Sequence, residues 1–115
     1  MTLSEKQRVF TMNIGKLIGW AYANGFELTF GDAYRDPRLA ALNAQEGKGI
    51  KNSLHSRRLA VDFNLFINSV YIAQSEMYKS LGDYWKILDP QNAWGGDFRP
   101  LQDGNHFSMS DGGVR

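Results

Sequence analysis

The chain carries only two histidines, His55 and His106, and each has an aspartate close by. Asp62 follows His55 by seven residues in the run Ser53-Leu54-His55-Ser56-Arg57-Arg58-Leu59-Ala60-Val61-Asp62, and Asp103 precedes His106 by three in Asp103-Gly104-Asn105-His106. A metal ion is the reading that uses both pairs. Catalytic zinc commonly takes three nitrogen or oxygen ligands at ~2.0–2.2 Å and keeps a fourth position for water. His55, Asp62 and His106 meet that count. Asp103 is then available as a general base that takes a proton from the activated water and passes it to a leaving amine. Arg35 is the candidate cation for an oxyanion or a substrate carboxylate. Plainer readings stand beside these. Histidine–aspartate pairs are often structural hydrogen bonds, Asp103-Gly104 can simply shape a turn, and Arg35 can form a surface ion pair with Asp32 or Asp36.

Sharing an ion constrains the elements that carry the ligands. On one helix His55 and Asp62 would lie two turns, ~10.5 Å, apart along the axis, too far to meet at one metal. A loop followed by a strand can bring them together. Leu59, Val61 and Phe63 alternate with Ala60, Asp62 and Asn64, which predicts that strand and turns Asp62 away from its apolar face. A turn at Asn68-Ser69 then leads into Val70-Tyr71-Ile72.

Upstream, Ser4 and Gln7 have the form of a capping box, and Val9, Phe10, Ile14, Leu17, Ile18, Ala21 and Tyr22 recur at helical spacing, predicting a helix from Ser4 to Ala23 that stops at Asn24-Gly25. Phe26, Leu28 and Phe30 alternate with Glu27 and Thr29 as in a half-buried strand, which runs on towards Arg35. Pro37 can open a short helix through Ala44. Glu46 to Asn52 reads as an exposed loop, and Lys48, Lys51 and the Arg57-Arg58 pair as solvated. A later helix spans Ser75 to Leu88, with Leu81, Trp85 and Leu88 on one face and Pro90 beyond its end. His106-Phe107 invites a short final strand, and Trp94, flanked by Gly95 and Gly96, is the tryptophan expected to line a cleft. The strands are not separated by regular crossover helices, so the class is α+β, a small antiparallel sheet with flanking helices.

Size and composition narrow the rest. A chain of 115 residues suits one domain with one core. Its 43% apolar and 22% charged residues are ordinary for a globular protein, and a net charge of +1 offers no general case for nucleic acid. The absence of cysteine excludes disulfides, thiolate ligands and a cysteine nucleophile. No stretch approaches the ~20 apolar residues of a membrane span, and Met1 to Arg8 lacks the apolar run of a secretory signal. The expectation is a monomer made in the cytoplasm, without stable membrane insertion.

The run from Ser53 to Asp62, with Asp103-x-x-His106 downstream, resembles the zinc-binding signature of the D-Ala-D-Ala carboxypeptidase and L-alanyl-D-glutamate endopeptidase superfamily, and most closely its bacteriophage endolysin branch. The likeness extends from Leu28 to Ser108 and includes Trp94-Gly95-Gly96-Asp97-Phe98. It implies that residues 1–115 are one zinc peptidase domain, with His55, Asp62 and His106 on Zn2+, Asp103 as the base, and Arg35 against substrate or transition state. The implied substrate is the stem peptide of peptidoglycan, cut between L-Ala and D-Glu. The implied setting is a phage lysis enzyme that reaches the wall after a separate protein permeabilises the membrane. Arg58 stands where the wider superfamily often has glycine, a departure that bears on substrate choice.

Other functions remain as rivals. A carboxypeptidase trimming terminal D-Ala would use the same residues. A non-haem iron oxygenase also uses two histidines and a carboxylate, but on a jelly roll of about eight strands. A serine hydrolase needs a Gly-x-Ser-x-Gly turn, which the sequence lacks. A non-catalytic wall-binding module could keep a metal for stability, but a structural zinc normally closes its fourth position with a protein ligand, and no further histidine or cysteine is available.

Overall fold

The computed structural model describes residues 1–46 and 53–115. Helix α1 spans Leu3–Ala23 and buries Phe10, Ile14, Leu17 and Ala21 along one stripe, the i, i+4, i+7, i+11 spacing of a single helical face. Its cap is Thr2, not Ser4: Thr2 Oγ1 accepts from Glu5 N while the Glu5 carboxylate accepts from Thr2 N. The carboxylate is the stronger acceptor and favours the positive end of the helix dipole, so the box closes two residues earlier than Ser4-Gln7 would place it. The helix ends at Asn24, and Gly25 follows at φ 81°.

Strand β1 (Glu27–Phe30) leads to helix α2 (Pro37–Gln45), whose first N–H groups are met by Asp36, accepting from Arg38 N at 2.7 Å. Leu28 is half-buried as its alternation predicts, but Phe30, at the strand end, is 64% exposed and rests one ring face on Phe63. The exposed loop expected from Glu46 to Asn52, with Lys48 and Lys51, lies beyond Glu46 outside the described residues.

Strands β2 (Ala60–Ile67) and β3 (Val70–Ile72) form a hairpin across Asn68 and Ser69, at φ 51° and 66°. Positive φ at both loop positions matches the right-handed twist of the flanking strands. The expected helix from Ser75 splits into a 3-10 turn, Ser75–Tyr78, and helix α3, Lys79–Leu88. The split follows from Tyr78, whose buried hydroxyl takes Leu65 N and gives to the Ile72 carbonyl. Strands β4 (Asn92–Trp94) and β5 (His106–Met109) complete the sheet. β4 has no sequence signal, since three residues cannot display an alternation; pairing with β5 and the bond from Asn92 Nδ2 to the Trp85 carbonyl hold it.

The sheet is antiparallel, in the order β1-β2-β5-β4 with β3 also on β2. Helices α1 and α3 pack on it through one aromatic cluster. Trp85 meets Phe10 and Phe107 edge-on at 5.6 and 6.2 Å, and its indole N–H reaches the carbonyls of Ala93 and Ser108. That satisfies the polar handle of a fully buried tryptophan. The architecture is the expected α+β class with a small antiparallel sheet. Among the described residues no helix is long and apolar enough to cross a membrane.

Candidate metal centre and active site

His55 sits in a 3-10 turn, Leu54–Arg57, that opens on Ser53, whose hydroxyl accepts from His55 N at 3.1 Å. Buried Leu54 and Leu59 anchor the two ends, and Leu59 N closes onto the Leu54 carbonyl. The turn is lashed from outside as well. Gln7 of α1 donates to the Arg57 carbonyl at 2.8 Å, Arg57 Nη1 meets Asp111 Oδ2 at 2.7 Å, and Lys6 meets the other Asp111 oxygen at 3.1 Å. Arg57 is therefore a half-buried tie rather than the solvated charge its sequence position suggests.

Asp62 and His106 are brought together differently. They are directly paired residues of the antiparallel β2–β5 ladder, so their side chains leave the same face of the sheet. On its other side Asp62 is bracketed by the segment after β1, its N–H donating to the Asp32 carbonyl and its carbonyl accepting from Gly31 N, both at 2.8 Å.

The turn before His106 is held by the glycine-rich run. Asp103 N donates to the Gly95 carbonyl, His106 N to the Asp103 carbonyl, and the Trp94 indole to the Gly104 carbonyl at 2.7 Å. A Cβ on Gly95 would fall 1.9 Å from the Asp103 carbonyl oxygen and 2.8 Å from His106 Cβ, so only glycine permits this approach. Trp94 is 5% exposed and fills the space left by Gly82 and Gly96. It is a core residue that braces the site and does not line a cleft, contrary to expectation.

His55 Nε2 lies 3.4 Å and His106 Nδ1 3.3 Å from Asp62 Oδ1, and the two rings stand at 73° with centroids 5.3 Å apart. Charge-assisted hydrogen bonds would be ~2.7–2.9 Å. Ligands ~2.0–2.1 Å from a tetrahedral ion lie about 3.3–3.4 Å from one another. The two histidine–Asp62 separations match the second case. Asp62 Oδ1, His55 Nδ1 and His106 Nε2 are buried without hydrogen-bond partners, which leaves the shared carboxylate oxygen open to coordinate a cation. One ligand atom from each of the three residues falls within a 4.8 Å cluster. The residues present fit a divalent metal with nitrogen and oxygen ligands.

Burial pushes the Asp62 carboxyl up, but the His106 and His55 imidazoles outweigh it and bring the pKa to about 2. The group is thus ionised and ready to bind a cation at any ordinary pH. Asp103 moves the other way. The residue is exposed, but partial desolvation of its carboxyl raises its pKa, and the neighbouring Asp62 charge adds to the rise against the opposing pull of His106, His55 and Arg35. A base whose affinity for protons is raised suits transient proton storage.

Arg35 makes the surface-type ion pair weighed for it, with Asp32 at 2.9 Å, while Asp36 instead pairs with Arg38. Yet the Arg35 side chain is only 19% exposed, against 59% for Asp32, and its charge acts on Asp103. Among the described residues it forms its ion pair with Asp32 and none with the candidate ligands His55, Asp62 and His106. Sequence reasoning missed the fastening residues Gln7 and Asp111, for which no local signal exists, because each acts across the fold.

A family model described as D-alanyl-D-alanine carboxypeptidase matches residues 46–109, which contain all three candidate ligands and Asp103. Comparison with curated proteins returned no match. A crystal structure of the Serratia marcescens L-Ala D-Glu endopeptidase ChiX superposes with a TM-score of 0.73 over 93% of this chain and 85% of that one, at 17% identity. At such identity the likeness is one of fold. The sequence match over more than half of the chain decides the family: this protein belongs to the D-alanyl-D-alanine carboxypeptidase family of peptidases.

Proposed function

We propose that the protein is a zinc-dependent peptidoglycan peptidase that hydrolyses the bond between L-Ala and D-Glu of the stem peptide. The observation that carries this reading is the His55–Asp62–His106 cluster, in which Asp62 Oδ1 lies 3.3–3.4 Å from a nitrogen of each imidazole, with a proton-seeking Asp103 beside it. Zinc held by these three residues would supply Lewis-acid polarisation and an acidified water. Asp103 accepts the proton of the attacking water and returns it to the leaving amine, a task for which its raised pKa fits it. Arg35, fixed by Asp32, places a cation beside the base, where negative charge develops on the carbonyl oxygen. The nitrogen and oxygen donor set supports zinc as the ion.

The endopeptidase reading is supported by the resemblance of Ser53 to Asp62 to the endolysin branch and by the name of the Serratia structure. A terminal D-Ala carboxypeptidase is the second reading, favoured by the description of the family model. With the first goes a role in phage lysis of the host wall, in a monomer that reaches its substrate through a membrane-permeabilising partner.

Mass spectrometry of purified peptidoglycan, incubated with the protein with and without chelator, tests the proposal. Chelator-sensitive release of the stem peptide from its L-Ala supports the endopeptidase, and loss of terminal D-Ala supports the carboxypeptidase. Unaltered fragments with the metal bound would overturn both and leave a wall-binding module.

A further inference from the structure

Arg58 caps the turn that carries His55, its N–H donating to the His55 carbonyl, and it does so in the left-handed conformation at φ 56°. A side chain there costs about 1 kcal/mol relative to glycine. The side chain is exposed, and among the described residues its guanidinium contacts the Tyr34 ring, 4.2 Å from the centroid, with no carboxylate partner. Tyr34 adjoins Arg35 in the segment that brackets Asp62 through Gly31 and Asp32. The stack therefore bridges the two walls of the site, from the His55 turn to the segment beside Asp62. It orders a guanidinium fork whose hydrogen-bond donors meet no partner among the described residues, an arrangement that favours bidentate capture of a carboxylate.

We infer that Arg58, held over Tyr34 at the rim, is a specificity-determining residue that recognises a free carboxylate on the peptide beside the scissile bond. The inference rests on the peptidase reading above. In a stem peptide linked through the side-chain carboxyl of D-Glu, the α-carboxylate of that residue is the group in reach. Arg35 is tied to Asp32 and acts on Asp103, whereas Arg58, stacked on Tyr34, has no carboxylate partner among the described residues. Tyr34 is a positioning residue in this scheme.

The test compares two synthetic stem peptides that differ only at D-Glu, one with the α-carboxylate free and one with it amidated. Cleavage by the metal-loaded protein and equilibrium binding to the metal-free protein are both measured. Wild type should favour the acid over the amide by about five- to tenfold in kcat/KM, mainly through KM, with a similar ratio in Kd. In Arg58→Gln and Arg58→Gly that ratio should fall to near one while metal content is retained. Arg58→Lys should keep part of it, since it restores charge without the fork. Arg58→Gly removes the side chain at a backbone position glycine favours, so a loss of discrimination there cannot come from strain. No preference in wild type would overturn the inference and leave the peptidase standing. So would equal losses on both peptides in Arg58→Gln that Arg58→Gly restores, which would make Arg58 a backbone latch only. If wild type cleaves neither peptide the peptidase reading fails, and the binding ratio still decides whether Arg58 reads the carboxylate.

Discussion

The two halves of the candidate metal centre are built by different means. Asp62 and His106 are set by backbone register: they are paired on adjacent strands, and the ladder that aligns them runs through the buried core at Val61, Phe63 and Phe107. His55 is set by lashings, namely the Ser53 cap, the Gln7 bond to the Arg57 carbonyl and the Arg57–Asp111–Lys6 ion pairs. Register is cooperative with the whole sheet, because slipping it by one residue would move every side chain to the opposite face. Lashings are individually weak and partly hydrated. The ladder half should therefore change only when the fold does, whereas the turn half can be loosened while the fold persists.

The largest effects come from removing site residues themselves. His55→Ala and His106→Ala should each lose both metal and activity, whereas Asp103→Ala should lower kcat by about 10²- to 10⁴-fold with metal retained. Metal analysis of the purified variants decides this, and equal metal content in all three would contradict the assigned roles. Next is Gly95→Ala, which drives a Cβ into the Asp103 carbonyl and should cost roughly 3 kcal/mol by overpacking the ladder half. Denaturant unfolding would show it, and a stability near wild type would mean the turn can yield.

Acid unfolding of the metal-free protein probes the shared carboxylate. Asp62 has a pKa of about 2 against an ordinary 3.8, so its contribution is fully present above pH 4 and is lost as pH falls towards 2. The difference is worth on the order of 2 kcal/mol, which Asp62→Asn should remove. Asp111→Ala loosens only the turn half. We expect about tenfold weaker metal binding by titration calorimetry with a stability loss of about 1 kcal/mol; an unaltered affinity would show that the lashings do not hold His55. The smallest effect has the opposite sign. Partial desolvation raises the pKa of Asp103, an exposed residue, so its ionised form opposes folding once pH exceeds the ordinary carboxylate range, and the penalty vanishes in acid. Asp103→Asn should accordingly raise the melting temperature of the metal-free protein at neutral pH and have no such effect at pH 3.

Much of the fold was legible where a local pattern carried enough repeats. The apolar stripe from Phe10 to Ala21, the alternation from Leu59 to Phe63, the Asn68-Ser69 hairpin and the Pro37 helix each state a preference within a few residues. The three candidate ligands were legible for a different reason: histidine is scarce in this chain, and both copies lie near aspartates. β4 was not, because three residues hold no period. The earlier cap at Thr2 escaped because two overlapping capping boxes fit the same stretch and the better acceptor won.

Composition, periodicity and the spacing of a few polar residues thus determined the class of fold and which side chains could share an ion. They did so because helical and strand periodicities are local properties of the backbone. Only the tertiary structure decided that Asp62 and His106 are ladder partners, that Trp94 is a brace and not a cleft wall, that Arg57 is tied to Asp111, and that Arg58 lies on Tyr34. The ladder pair, the Arg57–Asp111 tie and the Arg58–Tyr34 stack each join segments far apart in sequence. Such contacts depend on how the sheet and helices pack, and no local propensity encodes that packing.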